Sequence, residues 1–427
     1  MIGLLRYRQT LIVLIAIAQI FSPVLFVPGL ESFGVSVFRL LLVLTGAVLM
    51  LSVGLRPVSE WSLRALAAGA ILATWLLLSL SWSPDVENGI RQLSYLLTVL
   101  LLIYILDIIT RGHDDFLKIV TTVVLIGMMV IVLSAYELAT GIHFFRSSIQ
   151  DLAESSRSLN YISENQAWFT FGNPNDLIVH LAICCFVAIL LFRRSVAWAI
   201  FVTAYFGVVG YLADALDARI VLLTLAVFAI FYAAASLQRR AAVTATLTTV
   251  MLVSGGLLLG FALIMNERAE FLDVSTFIRL QLVTSSIEMA AESLFVGVGA
   301  GGFESEMWYG GFIGRTYGIV NPHNGLARML AENGVIGLAL FGFLLLGPVY
   351  AISRARVASS FSAFVAASAL GLPLLFSVGS DPLSSSSLQI ALALLWIGCR
   401  VAVEEGKEAD VAVPFVSGAY PIEAYRS

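Results

Sequence analysis

Charged side chains are scarce in this chain of 427 residues, where Asp, Glu, Lys and Arg together make up 12% of the sequence. A soluble globular domain carries about 25% of such residues. Apolar residues reach 59%, and the mean hydropathy is +0.94. The composition therefore excludes a water-soluble globule and predicts an all-α, polytopic integral membrane protein.

Cysteine is also rare. Cys184 and Cys185 are adjacent within one apolar run, and Cys399 lies in another. Three cysteines in these positions form neither a disulfide framework nor a metal-binding spacing. We read them as small residues of membrane helices.

Apolar runs of 18 to 25 residues recur from end to end, and each is long enough to cross about 30 Å of hydrocarbon. They predict a single transmembrane domain over residues 1–427 with about twelve membrane-spanning helices. The predicted spans are 9–27, 36–54, 62–81, 91–109, 117–138, 175–192, 196–213, 219–236, 242–265, 326–350, 358–378 and 385–402.

Lysine is nearly absent, so the orientation rests mainly on arginine. The connections between successive spans lie alternately on the two sides of the membrane. Of the 24 basic residues, 15 fall at the termini and in the connections on one side. The positive-inside rule assigns this side, with both termini, to the cytoplasm. The other nine, all arginine, belong on or near the opposite side. Arginine binds phosphate oxygens through two parallel hydrogen bonds. The nine arginines on or near the non-cytoplasmic side, which are therefore candidates for binding phosphate, are Arg39, Arg91, Arg146, Arg157, Arg219, Arg268, Arg279, Arg315 and Arg328.

Three stretches lie between or after the spans. Residues 139–173 predict a smaller segment on the non-cytoplasmic side, and residues 266–325 predict a large loop there, just before the tenth span. Residues 403–427 predict a short, disordered cytoplasmic tail. Within the large loop, residues 276–291 are typical of a helix, with Arg279 near its beginning. His180, inside the sixth span, needs a polar partner in the membrane and is predicted to be a structural hydrogen-bonding group.

The end of the large loop reads Asn-Pro-His-Asn-Gly-Leu-Ala-Arg-Met-Leu-Ala-Glu-Asn-Gly-Val-Ile-Gly from residue 321 to residue 337. Asn321 and Pro322 predict the opening of a helix, with His323 or Asn324 near its first turn. Free backbone N–H groups there favour anions, which suits a phosphate-bearing substrate. A helix cap with a histidine at the membrane surface explains the same residues equally well.

His-Asn followed by Glu-x-Gly-x-x-Gly at the entry to a membrane helix resembles the signature of the bacterial O-antigen ligase and O-antigen polymerase family, the Wzy_C-type membrane glycosyltransferases. Residues 292–303, which contain Gly297, Gly299 and Gly301, are similar to the Gly-x-Gly-x-Gly segment that precedes the histidine in this family. No βαβ unit surrounds these glycines, so we expect flexible backbone that shapes a substrate cavity, not a nucleotide loop.

The resemblance implies a GT-C-like membrane enzyme in the bacterial inner membrane, with its active site on the periplasmic face. Its donor would be a glycan on undecaprenyl diphosphate, and its acceptor a sugar of lipid A core or a growing polysaccharide. Membrane lipids are the other expected partners, and nucleic acid is not expected. No carboxylate cluster suited to a divalent cation accompanies the candidate residues, so we expect no metal and no cofactor.

The resemblance also implies roles for individual residues. A histidine that titrates near neutral pH suits the deprotonation of an acceptor hydroxyl, and two arginines would compensate the charge of the departing diphosphate. Ala218 stands where relatives commonly carry serine, and an ion pair with Asp214 or Asp217 is the alternative for the neighbouring arginine. The candidate residues are His323 as the catalytic base, Arg219 and Arg279 as diphosphate ligands, and Asn324, Arg157 and Arg315 as supporting groups.

Three functions remain open at this point. A ligase moves a complete O-antigen to lipid A core, whereas a polymerase joins lipid-linked repeat units with nearly the same constellation. The single long loop before His323 and the layout of twelve spans resemble a ligase and favour it over a polymerase. A transporter or flippase of twelve spans is the third, although related halves and midplane charges, which are typical of transporters, are not evident. A protein oligosaccharyltransferase is less favoured, because such relatives often carry a further C-terminal domain.

Overall fold

The computed structural model describes residues 8–22, 25, 36–53, 58–144, 167, 169–171, 174–192, 194–216, 218–237, 274–316, 318, 320, 324–355, 360–376 and 383–412. Within these ranges the regular structure is entirely helical, without a strand. The helices are α1 (Arg8–Ile20), α2 (Val37–Val53), α3 (Glu60–Ser79), α4 (Val86–Ile109), α5 (His113–Thr140), α6 (Pro174–Ala188), α7 (Val196–Ala215), α8 (Arg219–Leu237), α9 (Val274–Glu292), α10 (Phe303–Tyr309), α11 (Gly325–Ala355), α12 (Ser360–Phe376) and α13 (Ser386–Ala412).

Seven of these helices are long and apolar enough to cross a membrane, namely α3, α4, α5, α6, α7, α11 and α13. Shorter apolar helices, α1, α2, α8 and α12, occupy four further predicted spans. The chain is therefore a polytopic, all-α membrane protein. The predicted span at 242–265 lies outside the described residues.

Helix α13 forms the centre of the bundle, and its apolar stretch from Ser386 to Val403 is completely buried. It packs against α1, α3, α4, α5, α6, α11 and α12. The indole of Trp396 donates to the carbonyl of Leu344 at 2.8 Å, which ties α13 to α11. The helix continues to Ala412, so the first part of the predicted disordered tail at 403–427 is helical instead.

One end of the bundle, here called the basic end, is joined by a buried ion pair. Arg400 donates to Oδ1 of Asp107 at 2.7 Å and to the carbonyl of Thr110 at 2.6 Å, just after the last turn of α4. The carboxylate of Asp107 also accepts from the hydroxyls of Ser59 and Ser62, at the start of α3. Asp107 and Arg400 thus hold the ends of three helices together.

The opposite end, here called the loop end, carries a second hydrophobic cluster outside the main core. It contains Ile278, Leu282 and Met289 of α9, Phe303 and Met307 of α10, Phe312, and Ala331 of α11. We call residues 274–316, together with the first turns of α11 up to residue 333, the loop lobe. The predicted helix at 276–291 is confirmed as α9, and the lobe contains most of the described residues of the predicted large loop at 266–325.

Candidate functional site

Helix α11 begins at Gly325, directly after the His-Asn pair of the predicted motif. Oδ1 of Asn324 accepts from the backbone N–H of Ala327 at 3.0 Å, and its carbonyl accepts from the N–H of Arg328 at 3.0 Å. Asn324 is therefore the N-cap of α11, as expected for asparagine at a helix start. His323 precedes this cap in the sequence but lies outside the described residues.

Helix α11 is interrupted where its outer part meets its membrane part. Gly334 has φ of 64° and ψ of −167°, in a region that an L side chain rarely adopts. The N–H of Val335, freed by this kink, donates to the carbonyl of Phe295 at 3.0 Å. A Cβ atom on Gly334 would overlap the same carbonyl. The kink is thus the place where the glycine-rich segment meets α11.

The glycine-rich segment, residues 297–302, runs along the outer part of α11. The N–H of Val298 donates to the carbonyl of Ala331, and that of Gly299 to the carbonyl of Glu332, both at 2.9 Å. The two motifs that were recognised separately in the sequence are therefore hydrogen-bonded to each other.

Three glycines of this segment have left-handed backbones, with φ of +93° at Gly297, +100° at Gly299 and +75° at Gly301. An added Cβ on Gly297 would lie 2.5 Å from the carbonyl oxygen of Glu332, and one on Gly299 would lie 2.5 Å from Cα of Ser83. These glycines permit close contact between backbones. The glycines therefore pack tightly here, and the substrate cavity expected beside them stays a prediction.

Helix α3 and the turn that follows it hold the segment from the other side. Three side chains donate to backbone carbonyls: Trp75 to Asn333 at 2.9 Å, Trp82 to Gly297 at 3.0 Å and Ser83 to Ala300 at 2.7 Å. Trp75 and Trp82 also meet edge to face, with ring centroids 5.9 Å apart. The loop lobe is therefore fastened to the membrane bundle through polar contacts as well as apolar packing.

A buried charged group lies beneath these contacts. The side chain of Glu332 is 1% exposed and accepts from Nε of Arg328 at 3.0 Å and from the N–H of Phe303 at 3.3 Å. Its second oxygen accepts from the amide of Gln92 in α4. Arg328 also reaches Glu304, at 3.3 Å. Arg328, one of the nine arginines considered for phosphate, is thus engaged with two carboxylates.

Glu332 was considered in the sequence only as part of the motif, and both its buried ion pair with Arg328 and its contact with Gln92 were missed. A carboxylate in the first turns of an apolar helix requires a polar or charged partner. This requirement alone could have indicated from the sequence that Glu332 has a buried partner. The partner could not be identified, because Gln92 is 240 positions away in the chain.

The candidate arginines lie on different helices. Arg279 is exposed on α9, between the buried residues Ile278 and Leu280, and α9 packs along α11. The structure thus brings the helix of Arg279 and the helix start after His323 into one lobe. The backbone of Arg219 opens α8, which packs mainly on α12, and its side chain lies outside the described part of the molecule.

The supporting residues are only partly described. Asn324 is the cap of α11, as described above. Arg315 ends a short 3₁₀ turn in the loop lobe, Ile313–Arg315, and its side chain lies outside the described part. Arg157 lies outside the described residues altogether. Over the ranges that are described, no group of three or more His, Cys, Asp and Glu side chains is placed to hold a metal ion.

Two further polar groups at the loop end are structural. Nδ1 of His180 lies 2.9 Å from Oγ of Ser387, and that hydroxyl accepts from the amide of Gln19 at 3.1 Å. His180 therefore has the polar partner that its place in a membrane helix requires. The buried carboxylate of Glu137 accepts from the N–H groups of Phe144 at 3.1 Å and Phe169 at 2.7 Å. It fastens both described edges of the segment at 139–173 to the end of α5.

The described geometry thus consists of a capped helix start, a glycine segment bonded to that helix, and an exposed arginine on the helix packed beside it. Each of these features belongs to the loop end, opposite the basic end. No protein-family model matches the chain, and a search of curated proteins gives no match.

Proposed function

We propose that this protein is an O-antigen ligase-like glycosyltransferase, which transfers a glycan from undecaprenyl diphosphate to a sugar hydroxyl of lipid A core. One observation supports this proposal most directly. Residues 295–299, which include the start of the glycine segment, contact the helix that follows His323 through three backbone hydrogen bonds, with Ala331, Glu332 and Val335. The two sequence motifs on which the resemblance rests therefore belong to one structural unit.

In the proposed reaction, His323 removes the proton of the acceptor hydroxyl while its oxygen attacks the anomeric carbon. The bond from that carbon to the diphosphate oxygen breaks, and the diphosphate leaves with the electron pair. Arg219 and Arg279 compensate the charge that develops on it, so the protein's own cations carry this task. Attack opposite the leaving group inverts the configuration of the anomeric carbon.

The place of His323 in the sequence favours this task. It immediately precedes the N-cap of α11, and the first turn of a helix presents free N–H groups and a partial positive charge. A diphosphate near this helix start would gain from both. Arg279 is exposed, so its guanidinium is accessible to a ligand from solvent or from the membrane surface.

The proposal includes twelve spans, with the ninth at 242–265 and a large periplasmic loop at 266–325 before the tenth. It places both termini in the cytoplasm and the protein in the bacterial inner membrane. The distribution of described basic residues supports this orientation. Arg64, Arg111, Lys118, Arg354 and Arg400 all belong to the basic end, opposite the loop lobe. Positive charge accumulates on the cytoplasmic side of membrane proteins.

The decisive experiment is transfer in vitro with purified protein, undecaprenyl-diphosphate glycan and EDTA. One reaction contains lipid A core, and a parallel reaction contains no added acceptor. His323→Ala is compared with His113→Ala, because His113 is a partly exposed histidine of the basic end, beside Glu405. The proposal expects product on lipid A core that disappears in His323→Ala and persists in His113→Ala.

Each other outcome has a definite meaning. Longer polyprenyl-linked chains without added acceptor would assign the same site to a polymerase of O-antigen or exopolysaccharide. Movement of lipid-linked glycan across vesicles without transfer would assign a flippase and reject the glycosyltransferase. Transfer that survives in His323→Ala would reject the proposed base.

A further inference from the structure

The turn that ends α9 has an unusual backbone. Leu294 and Phe295 have φ of 52° and 61°, although neither is glycine. Helices commonly end in this conformation, but the residue that adopts it is usually glycine, because a side chain is strained there. The turn is nevertheless well bonded, with the N–H of Phe295 donating to the carbonyl of Ala290 and that of Val296 to the carbonyl of Ser293.

This strained turn exposes its apolar side chains. Leu294 is 84% exposed, Phe295 47% and Val296 41%. We call residues 294–296 the apolar turn. No charged residue occurs between Glu292 and Glu304, so the turn and the glycine segment after it form an uncharged stretch. Three adjacent exposed apolar side chains at a strained site indicate a contact with an apolar partner.

The position of the turn along α11 identifies the level at which that partner lies. The carbonyl of Phe295 accepts from the N–H of Val335, and Val335 and Ile336 are themselves 49% and 45% exposed. About 19 residues separate Val335 from Arg354, which corresponds to roughly 29 Å along a helix. This length matches the ~30 Å thickness of a bilayer's hydrocarbon core. With Arg354 at one boundary of the hydrocarbon, Val335 and the apolar turn lie at the other.

A neighbouring tryptophan supports this level. Trp82 is 40% exposed, and its indole donates to the carbonyl of Gly297, one residue beyond the apolar turn. Tryptophan is enriched where the hydrocarbon meets the headgroups of a membrane. The apolar turn is therefore continuous with the side of α11 that faces lipid and is flanked by an interfacial aromatic residue.

We propose that the apolar turn at Leu294, Phe295 and Val296 inserts into the bilayer at the boundary of headgroups and acyl chains, and so anchors the loop lobe to the membrane surface. This inference is independent of the proposed glycosyl transfer. The partner is the lipid itself, because the exposed side chains continue the lipid-facing surface of α11. Insertion also accounts for leucine and phenylalanine where glycine would relieve strain.

The test places a fluorescent label on the turn. Leu294→Cys is labelled with an environment-sensitive dye in lipid nanodiscs, and the unsubstituted protein gives the background, because Cys184, Cys185 and Cys399 are buried. Glu306→Cys, on α10 of the same lobe, is the matched control. Lipids with a spin label near the headgroup should quench the dye at position 294 at least about threefold more strongly than at position 306, and aqueous iodide should show the reverse order.

Equal quenching at the two positions by lipid and by iodide would overturn the proposal. Excimer emission from pyrene-labelled Leu294→Cys, dependent on protein-to-lipid ratio, would assign the turn to a contact between copies of the chain and reject lipid as its partner. Val296→Cys repeats the measurement one position beyond the two left-handed residues, so a folding defect of the first variant does not prevent a decision.

Discussion

Replacement of Glu332 by alanine is expected to destabilise the protein by about 3–4 kcal/mol. The side chain of Arg328 is 9% exposed, and its Nε loses the carboxylate 3.0 Å away. Removing one partner of a buried ion pair typically costs about 3–5 kcal/mol, because the remaining charge is uncompensated. The carboxylate of Glu304, which is 39% exposed, lies 3.3 Å from Arg328 and remains as a partner. The expected loss of stability therefore lies toward the lower end of that range. The N–H of Phe303 also loses its acceptor.

The chain contains a matched control for this variant. Glu60 and Arg64 form an ion pair with the same separation of four positions on a helix, but their side chains are 63% and 48% exposed. Exposed pairs of this kind contribute less than about 1 kcal/mol. Glu60→Ala should therefore cost below about 1 kcal/mol, so burial is the variable that separates the two substitutions.

Thermal unfolding with a thiol-reactive dye measures both variants in one assay. The three cysteines are buried and react when the bundle opens. If Glu332→Ala unfolds like Glu60→Ala, the buried charged group does not fasten the loop lobe and the reasoning is refuted. The double variant Glu332→Leu with Arg328→Met should recover most of the lost stability, because it leaves neither charge without a partner.

Three further pairs of substitutions test other contacts with the same assay. Gly299→Ala should destabilise the protein by about 2 kcal/mol or more, because its Cβ would lie 2.5 Å from a backbone carbon of the turn after α3. Gly207→Ala, in open space on α7, should leave the stability unchanged or slightly higher. Asp107→Asn should destabilise the protein by about 3 kcal/mol, because Arg400 loses its buried carboxylate and keeps only the more exposed Glu404, 3.8 Å away. Asp115→Asn, in an exposed pair, should destabilise it by less than about 1 kcal/mol. Leu294→Gly should be more stable than Leu294→Ala by about 1 kcal/mol, since only glycine relieves the left-handed backbone. Equal losses within any of these pairs would contradict the corresponding contact.

The positions of the helices were largely predictable because each span is a local property of the sequence. Every predicted span apart from 242–265, which lies outside the described residues, coincides with an apolar helix. The N-terminal cap at Asn324 and the helix that carries Arg279 were predictable for the same reason. A helix cap and an apolar pattern are both determined by residues a few positions apart in the sequence.

The tertiary contacts were not predictable, because their partners are remote in the chain. Arg400 and Asp107 are 293 positions apart, and the partner of Glu332 on α4 is 240 positions away. Glycines are ambiguous for a different reason. The same pattern at 297–302 fits a mobile loop or a tightly packed segment, and only the atoms that surround it distinguish the two. The meeting of His323, Arg219 and Arg279 at one site stays a prediction.

The burial of α13 from Ser386 to Val403 has a consequence for biosynthesis. Every described helix that packs against α13 precedes it in the sequence, so these helices enter the membrane before the segment that fills their centre has been translated. Until α13 has been translated, Asp107 lacks its ion-pair partner Arg400. The carbonyl of Leu344 likewise lacks the indole of Trp396, and the carbonyl of Thr110 lacks the guanidinium of Arg400. The helices that precede α13 therefore stay loosely packed until α13 inserts among them. A nonsense mutation just upstream of Ser386 would leave the whole bundle unable to close and exposed to membrane proteases.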